Sequence, residues 1–184
     1  MGKRTFTIGL NVKDIEKLKK YLIHKRDVEF PNKMREVVTR LANLGIPVIE
    51  EKIAEASYEY DAQGIQSGSD TQHRTYVDVK SFGDTAVAKL VLEGKEILFI
   101  EFGAGVSANY PVDAGGTKHP LGDEFGYLIG TYGLGNGAKQ VWGYYSESGE
   151  LVLTRGTKAT MPMYHADQAI ILMAEEIIRE VFNQ

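Results

Sequence analysis

Cysteine is absent from this chain, which removes a disulfide framework, a thiolate metal site and a cysteine nucleophile together. Long apolar runs are missing as well. No stretch approaches the roughly 20 apolar residues of a membrane span, and Met1-Gly2-Lys3-Arg4 opens no apolar core of the kind a signal peptide carries. The expectation is a soluble chain with no membrane partner, not secreted by that route. Excess basic charge is also lacking. The formal net charge is −4, whereas nucleic-acid binders display a basic surface that neutralises phosphates. The one dense basic run, Lys13 to Arg26, is interleaved with Ile15, Leu18, Tyr21 and Leu22 at helical spacing. It reads as the solvated face of an amphipathic helix rather than a DNA-binding one.

Cofactor signatures fail on spacing. Gly133-Leu134-Gly135-Asn136-Gly137-Ala138-Lys139-Gln140 lacks the Gly-Lys-Ser/Thr that opens a helix in a phosphate loop, and a strand rather than a helix is expected to follow it. The dinucleotide fingerprint, which needs strand, glycine turn and helix in that order, is missing too. His24, His73, His119 and His165 are scattered, and no spacing brings two of them together on one element. No cofactor and no metal is implied.

What the chain does contain is periodicity. Its 184 residues suit a single domain burying about two-thirds of its unfolded surface. Arg4 to Leu10 alternates as a short strand, Asn11 stands at an N-cap position, and Val12 to His24 follows as a helix with Asp14 in its first turn. Asp27 to Pro31 is expected to break it. Met34, Val37, Val38, Leu41 and Leu44 mark a second helix ending near Gly45, and Pro47 opens a third carrying Val48, Ile49, Ile53 and Ala56. The same residues also suit one long helix kinked at Gly45 and Pro47.

Tyr58 to His73 is polar and turn-rich, a loop by composition. Thr75 to Lys80 alternates and should pair, across Phe82-Gly83-Asp84, with a strand over Ala86 to Leu92. That strand, a turn at Glu93-Gly94-Lys95 and Ile97-Leu98-Phe99-Ile100 are expected to form the hairpin around which the chain is organised, its second arm a central strand with both faces covered. Val141 to Tyr145 and Glu150 to Thr154 form a second hairpin around Ser146-Glu147-Ser148-Gly149. Pro162 opens the last helix, with Thr160 as cap and Met163, Ala166, Ile170, Met173, Ile177 and Val181 on its core side. The fold class expected is α+β: an antiparallel sheet with hairpins, packed against N-terminal amphipathic helices and a C-terminal helix.

Between Gly103 and about Lys139 regular periodicity stops, and glycine alternates with Tyr110, Phe125, Tyr127, Leu128, Ile129, Tyr132 and Leu134. Such aromatic density suits burial against a partner, because the backbone can bend while the rings cover area. An arm or loop ordered in an assembly is the favoured reading. A segment folded over its own domain and a small-molecule lid remain open. Asp113, His119, Asp123 and Glu124, with Glu101 before them, also permit an acid/base site, but any acidic loop does so and no nucleophile elbow is present. For Glu101 the plainer role is a carboxylate accepting hydrogen bonds from loop amides.

Phe6-Thr7-Ile8-Gly9-Leu10 running into an amphipathic helix, Ile100-Glu101-Phe102-Gly103 closing an apolar segment, and Ala159-Thr160-Met161-Pro162-Met163-Tyr164-His165-Ala166 opening the last helix together resemble the bacteriophage family typified by the HK97 tail-completion, or neck, protein. In that family a Glu-aromatic-Gly turn ends a central strand and a Pro-aromatic-Ala patch begins the last helix. Two features depart from it: Asp61 to Ser69 offers no Thr-Gly-x-Leu segment, and the stretch from Gly103 to Val141 is longer than usual.

The resemblance implies a non-catalytic virion subunit that forms a ring with itself, commonly a hexamer, between head connector and tail tube. Its partners would be other neck and tail proteins, with DNA passing through but not bound specifically. Glu101, Phe102, Gly103, Tyr110, Phe125, Tyr127, Tyr132 and Trp142 are the expected contact residues between subunits. A tail-tube or capsid-associated subunit is the next reading, and a small hydrolase using Glu101 the last.

Overall fold

The computed structural model describes residues 12–105, 119–122, 124–125 and 141–183; the strand expected over Arg4 to Leu10 and the cap at Asn11 lie outside them. The fold is mixed α+β, with helices at both ends of this range and antiparallel strand pairs between them. It divides into two compact units. One gathers 12–44, 77–90 and 169–183, the other 45–76 and the described residues from 91 to 168.

The first helix, α1 (Val12–His24), has the bounds its periodicity predicts. The break expected at Asp27 to Pro31 is replaced by a π-helical turn, Lys25–Glu29, in which the Phe30 amide donates to the Lys25 carbonyl five residues back. Pro31 cannot donate a hydrogen bond and crowds the carbonyl four residues before it; the wider π turn accommodates both, and the helix continues. It continues as α2 (Phe30–Ala54), a single helix with Pro47 inside. Pro47 and Asn43, whose carbonyl loses its donor, are both exposed, so water satisfies that oxygen.

Phe82-Gly83-Asp84 joins β3 (His73–Phe82) to β4 (Thr85–Gly94) as expected, Gly83 taking φ +62° in the turn. Two expectations fail beside it. Ile97 to Ile100 is neither a central strand nor the second arm of a hairpin with Ala86 to Leu92, but the start of a short helix, α3 (Ile97–Phe102), and among the described residues β4 pairs with β3 alone. Ile97, Ile100 and Glu101 are buried while Leu98 is exposed, a three-to-four-residue period that a run of consecutive apolar residues conceals. The loop expected over Tyr58 to His73 holds two short strands, β1 (Glu59–Tyr60) and β2 (Gln66–Ser67). These extend the second hairpin, β6 (Trp142–Tyr145) and β7 (Leu151–Thr154), into a sheet of order β1-β2-β7-β6, where Gln66 pairs in parallel with Thr154. The hairpins therefore belong to separate small sheets. A third is the pair β5 (Ala104–Gly105) with β8 (Gly156–Thr157).

The last helix, α4 (Pro162–Asn183), begins at the expected proline. In the first unit its inner side puts Ile177 and Val181 against Val37, with Leu41, Leu44, Met173 and Phe182 packed around them. Phe30 stacks on Phe182 at 5.8 Å, and the Lys33 ammonium donates to the Val181 carbonyl at 3.0 Å, neutralising the negative end of α4. In the second unit Ile49, Ile53 and Ile100 are fully buried.

One ion pair makes stability depend on pH. His73 Nε2 lies 2.8 Å from the Glu50 carboxylate and Nδ1 2.7 Å from the Thr71 carbonyl, so both nitrogens meet acceptors when the ring is protonated. Burial alone pulls the His73 pKa down; the Thr71 carbonyl and Glu50 carboxylate outweigh it, and the net shift is upward from 6.5. The His73 hydrogen bond holds Glu50 below its usual 4.5. The raised histidine stabilises the fold fully below its unfolded pKa and loses that contribution as pH rises through the folded value. The lowered carboxylate stabilises above its unfolded pKa and loses it as pH falls, so the pair contributes most between about pH 5 and about pH 6. Glu50→Gln should move the His73 midpoint, followed by NMR titration, back toward 6.5 or below; an unchanged midpoint would show that Glu50 does not hold the proton.

Candidate functional site

The start of α4 presents an uncapped end. Pro162 occupies its first position, and the preceding residue, Met161, has no side-chain acceptor for the orphaned amides of Met163 and Tyr164. Thr160, the expected cap, does not supply one: its hydroxyl is buried without a hydrogen-bond partner. The cap comes from another element. Glu101, on the last turn of α3, accepts the Met163 amide at 2.8 Å through Oε2 and the Tyr164 amide at 3.0 Å through Oε1.

Local structure sets this meeting. Gly103 ends α3 with φ +77°, a conformation suited to glycine, and its amide closes onto the Phe99 carbonyl. The chain then enters β5, where Ala104 pairs with Thr157 and Gly105 with Gly156. Glu101 precedes this pairing by three residues and Pro162 follows it by five, so the two reach each other across a short gap. The Ile100 carbonyl tightens it by accepting the amides of Thr160 at 3.0 Å and Met161 at 3.4 Å.

His119 completes the joint. Its Nδ1 accepts the Leu121 amide at 3.0 Å, so the proton sits on Nε2, which donates to Glu101 Oε1 at 2.9 Å. The ring packs on Phe102 at 4.6 Å and on Tyr164 at 5.4 Å. Glu101 is 6% exposed and His119 4%. A buried carboxylate is tolerable here because two amides, one imidazole N–H and the positive end of a long helix all face it.

This arrangement ties α3, the His119 segment and the start of α4 together. The lone pair a general base would need on His119 is occupied by the Leu121 amide. A second recess, a cavity of about 280 Å³, is lined by Tyr58, Gln66, Ser69, Glu96, Tyr144 and Thr157. Its polar groups close on one another: Ser69 and Thr157 hydroxyls lie 2.6 Å apart, and Glu96 accepts the Asp70 amide at 2.8 Å. Burial, with Glu96 nearby, pushes the Tyr58 phenol up to about 12.

The joint opens onto a largely apolar groove of about 750 Å³ whose wall includes Leu98, Phe102, Leu121, Phe125 and Tyr164, with Glu101, His119 and Asp167 also lining it. Phe125 is 60% exposed and sits 6.1 Å from the Phe102 ring. Of the expected contact residues, the structure therefore brings together Glu101, Phe102, Gly103 and Phe125, with Glu101 and Gly103 buried and Phe125 outward. Tyr110, Tyr127, Tyr132, the side chain of Trp142, and Asp113 and Asp123 of the alternative acid/base set lie outside the described residues; Glu124 is exposed. The sequence reading missed the Met163 and Tyr164 amides. The signal was an absence, since no Ser, Thr, Asp or Asn stands immediately before Pro162. Among the described residues no group of three or more His, Asp or Glu side chains could hold a metal ion, and no helix is long and apolar enough to cross a membrane.

Removing the carboxylate orphans two helix amides and the His119 N–H, so Glu101→Ala should cost about 2–3 kcal/mol by urea unfolding. Glu101→Gln, which keeps one acceptor oxygen, should cost less, and equal losses would mean that the cap contributes little beyond side-chain volume. No protein-family model, curated protein or solved structure matches this chain.

Proposed function

We propose that this protein is a structural subunit of the neck of a long-tailed phage, or of a prophage or tail-derived particle: a tail-completion or tail-terminator type ring protein joining tail tube to head connector. It acts without catalysis, assembles with itself in a ring, commonly a hexamer, and meets other neck and tail proteins in the virion after assembly in the bacterial cytoplasm. The observation that carries this reading is the Glu101 clasp. Two of the three segments that carry the resemblance, Ile100 to Gly103 and Ala159 to Ala166, make one joint through the bonds from the Met163 and Tyr164 amides to Glu101. A structural joint explains why these residue types occur together. The groove next to it supports the assembly role, because exposed Leu98, Leu121 and Phe125 surround a rigid, fully bonded centre, as at the anchor points of protein interfaces. The net charge of −4 suits a channel through which DNA passes without sticking.

Light scattering after gel filtration, with negative-stain imaging, should find closed rings. Phe125→Ala combined with Leu98→Ser should weaken ring formation about tenfold or more while leaving the unfolding midpoint nearly unchanged, since both side chains are exposed in the single chain. Open-ended tubes, or a monomer at every concentration, would count against the proposal.

A further inference from the structure

The helix α1 buries none of its residues, although it carries an apolar stripe. Val12 is 73% exposed, Ile15 53%, Leu22 54% and Ile23 40%. Ile15, Leu18, Lys19, Leu22, Ile23 and Arg26 together line a shallow concave strip along one side of the helix. A second uncovered stripe runs along α4, on the side away from the core residues Met173, Ile177 and Val181: Ile171 is 60% exposed, Leu172 80% and Ile178 44%. Glu175 lies on that stripe, one turn from Ile171 and from Ile178, and Glu176 adjoins it.

The stripes match in length and differ in charge. Ile15 to Leu22 and Ile171 to Ile178 each cover eight residues, a rise of about 10 Å or two helical turns. The α1 strip holds Lys19 and Arg26 and no carboxylate. Across the whole elements, α1 has four lysines against Asp14 and Glu16, and α4 has Asp167, Glu175, Glu176 and Glu180 against Arg179. Pairing α1 with another α1 would set base against base, and α4 with α4 acid against acid. Only the crossed pairing brings opposite charges together around two apolar stripes.

We infer that α1 of one copy docks along the outer stripe of α4 of a second copy, helix on helix, with Leu18 and Leu22 seated between Ile171 and Ile178 and Lys19 facing Glu175. Arg26 and Glu175 each have a partner in their own stretch of helix, Asp27 and Arg179. These pairs are exposed and contribute little, so exchanging them on docking costs little. The contact is heterologous: every copy offers one surface and accepts on the other, so it closes into a ring or runs on as a chain. The inference rests on the proposed self-assembly only for the expectation that copies meet; the surfaces are chosen by α1 and α4 themselves.

The absence of cysteine makes the test direct. Leu22→Cys and Ile178→Cys, each on an exposed side chain and each on a differently tagged full-length chain, are mixed and oxidised gently. The expected product is the mixed disulfide, with neither variant cross-linking to itself. Lys19→Glu and Glu175→Lys should each reduce its yield severalfold and together restore it. Self-linked Leu22→Cys would overturn the inference in favour of a symmetric α1 pair. Assembled particles without the mixed disulfide would overturn it while leaving the ring reading standing, and a monomer without the disulfide would overturn both.

Discussion

Everything around the start of α4 depends on one buried charge. A carboxylate taken out of water destabilises a fold unless its oxygens are fully bonded. Glu101 meets that condition by accepting from Met163, Tyr164 and His119. The dependence runs both ways, because the first turn of α4 has no acceptor of its own. A charge that needs donors and a helix end that needs acceptors satisfy each other, and residues far apart in sequence become one cooperative joint.

Backbone geometry is arranged to permit this. Gly103 at φ +77° turns the chain out of α3, and Met161 at φ +56° is the one described non-glycine residue in the left-handed region. An L-residue there costs of order 1 kcal/mol or more unless the surroundings over-determine it. Here they do, since Met161 is buried and its amide and the neighbouring Thr160 amide both converge on the Ile100 carbonyl. The strain sits beside the clasp, where the chain must turn from β8 into α4 within a few residues.

The joint separates two jobs that one loop would do poorly together. Its polar centre ties Glu101 to Met163, Tyr164 and His119, while its rim exposes Leu98, Leu121 and Phe125. A rigid centre with apolar edges costs little ordering entropy when a partner arrives. The helix α1 presents a second exposed surface of a different kind, apolar with basic flanks, on a chain whose net charge is negative.

Periodicity along the chain determined the helix over Val12 to about His24, the proline start of α4, the pairing across Phe82-Gly83-Asp84, the hairpin around Ser146 to Gly149 and the α+β class, because each of these is a local pattern repeated over several turns or pairs. It pointed to a strand at Ile97 to Ile100 and was wrong, because four apolar residues in a row suit a strand or a buried helix equally. Nor could it see that a π turn would carry the helix through Pro31, or that Gln66 would find Thr154. For Glu101 the sequence indicated a carboxylate at a sheet edge accepting from loop amides; it sits on a helix instead and accepts the first-turn amides of α4, with His119 on the same oxygen, an arrangement decided only when β5 paired with β8. Helix and hairpin patterns are written between near neighbours, whereas a cap supplied from another element depends on where the rest of the chain is placed, and only tertiary packing determines that.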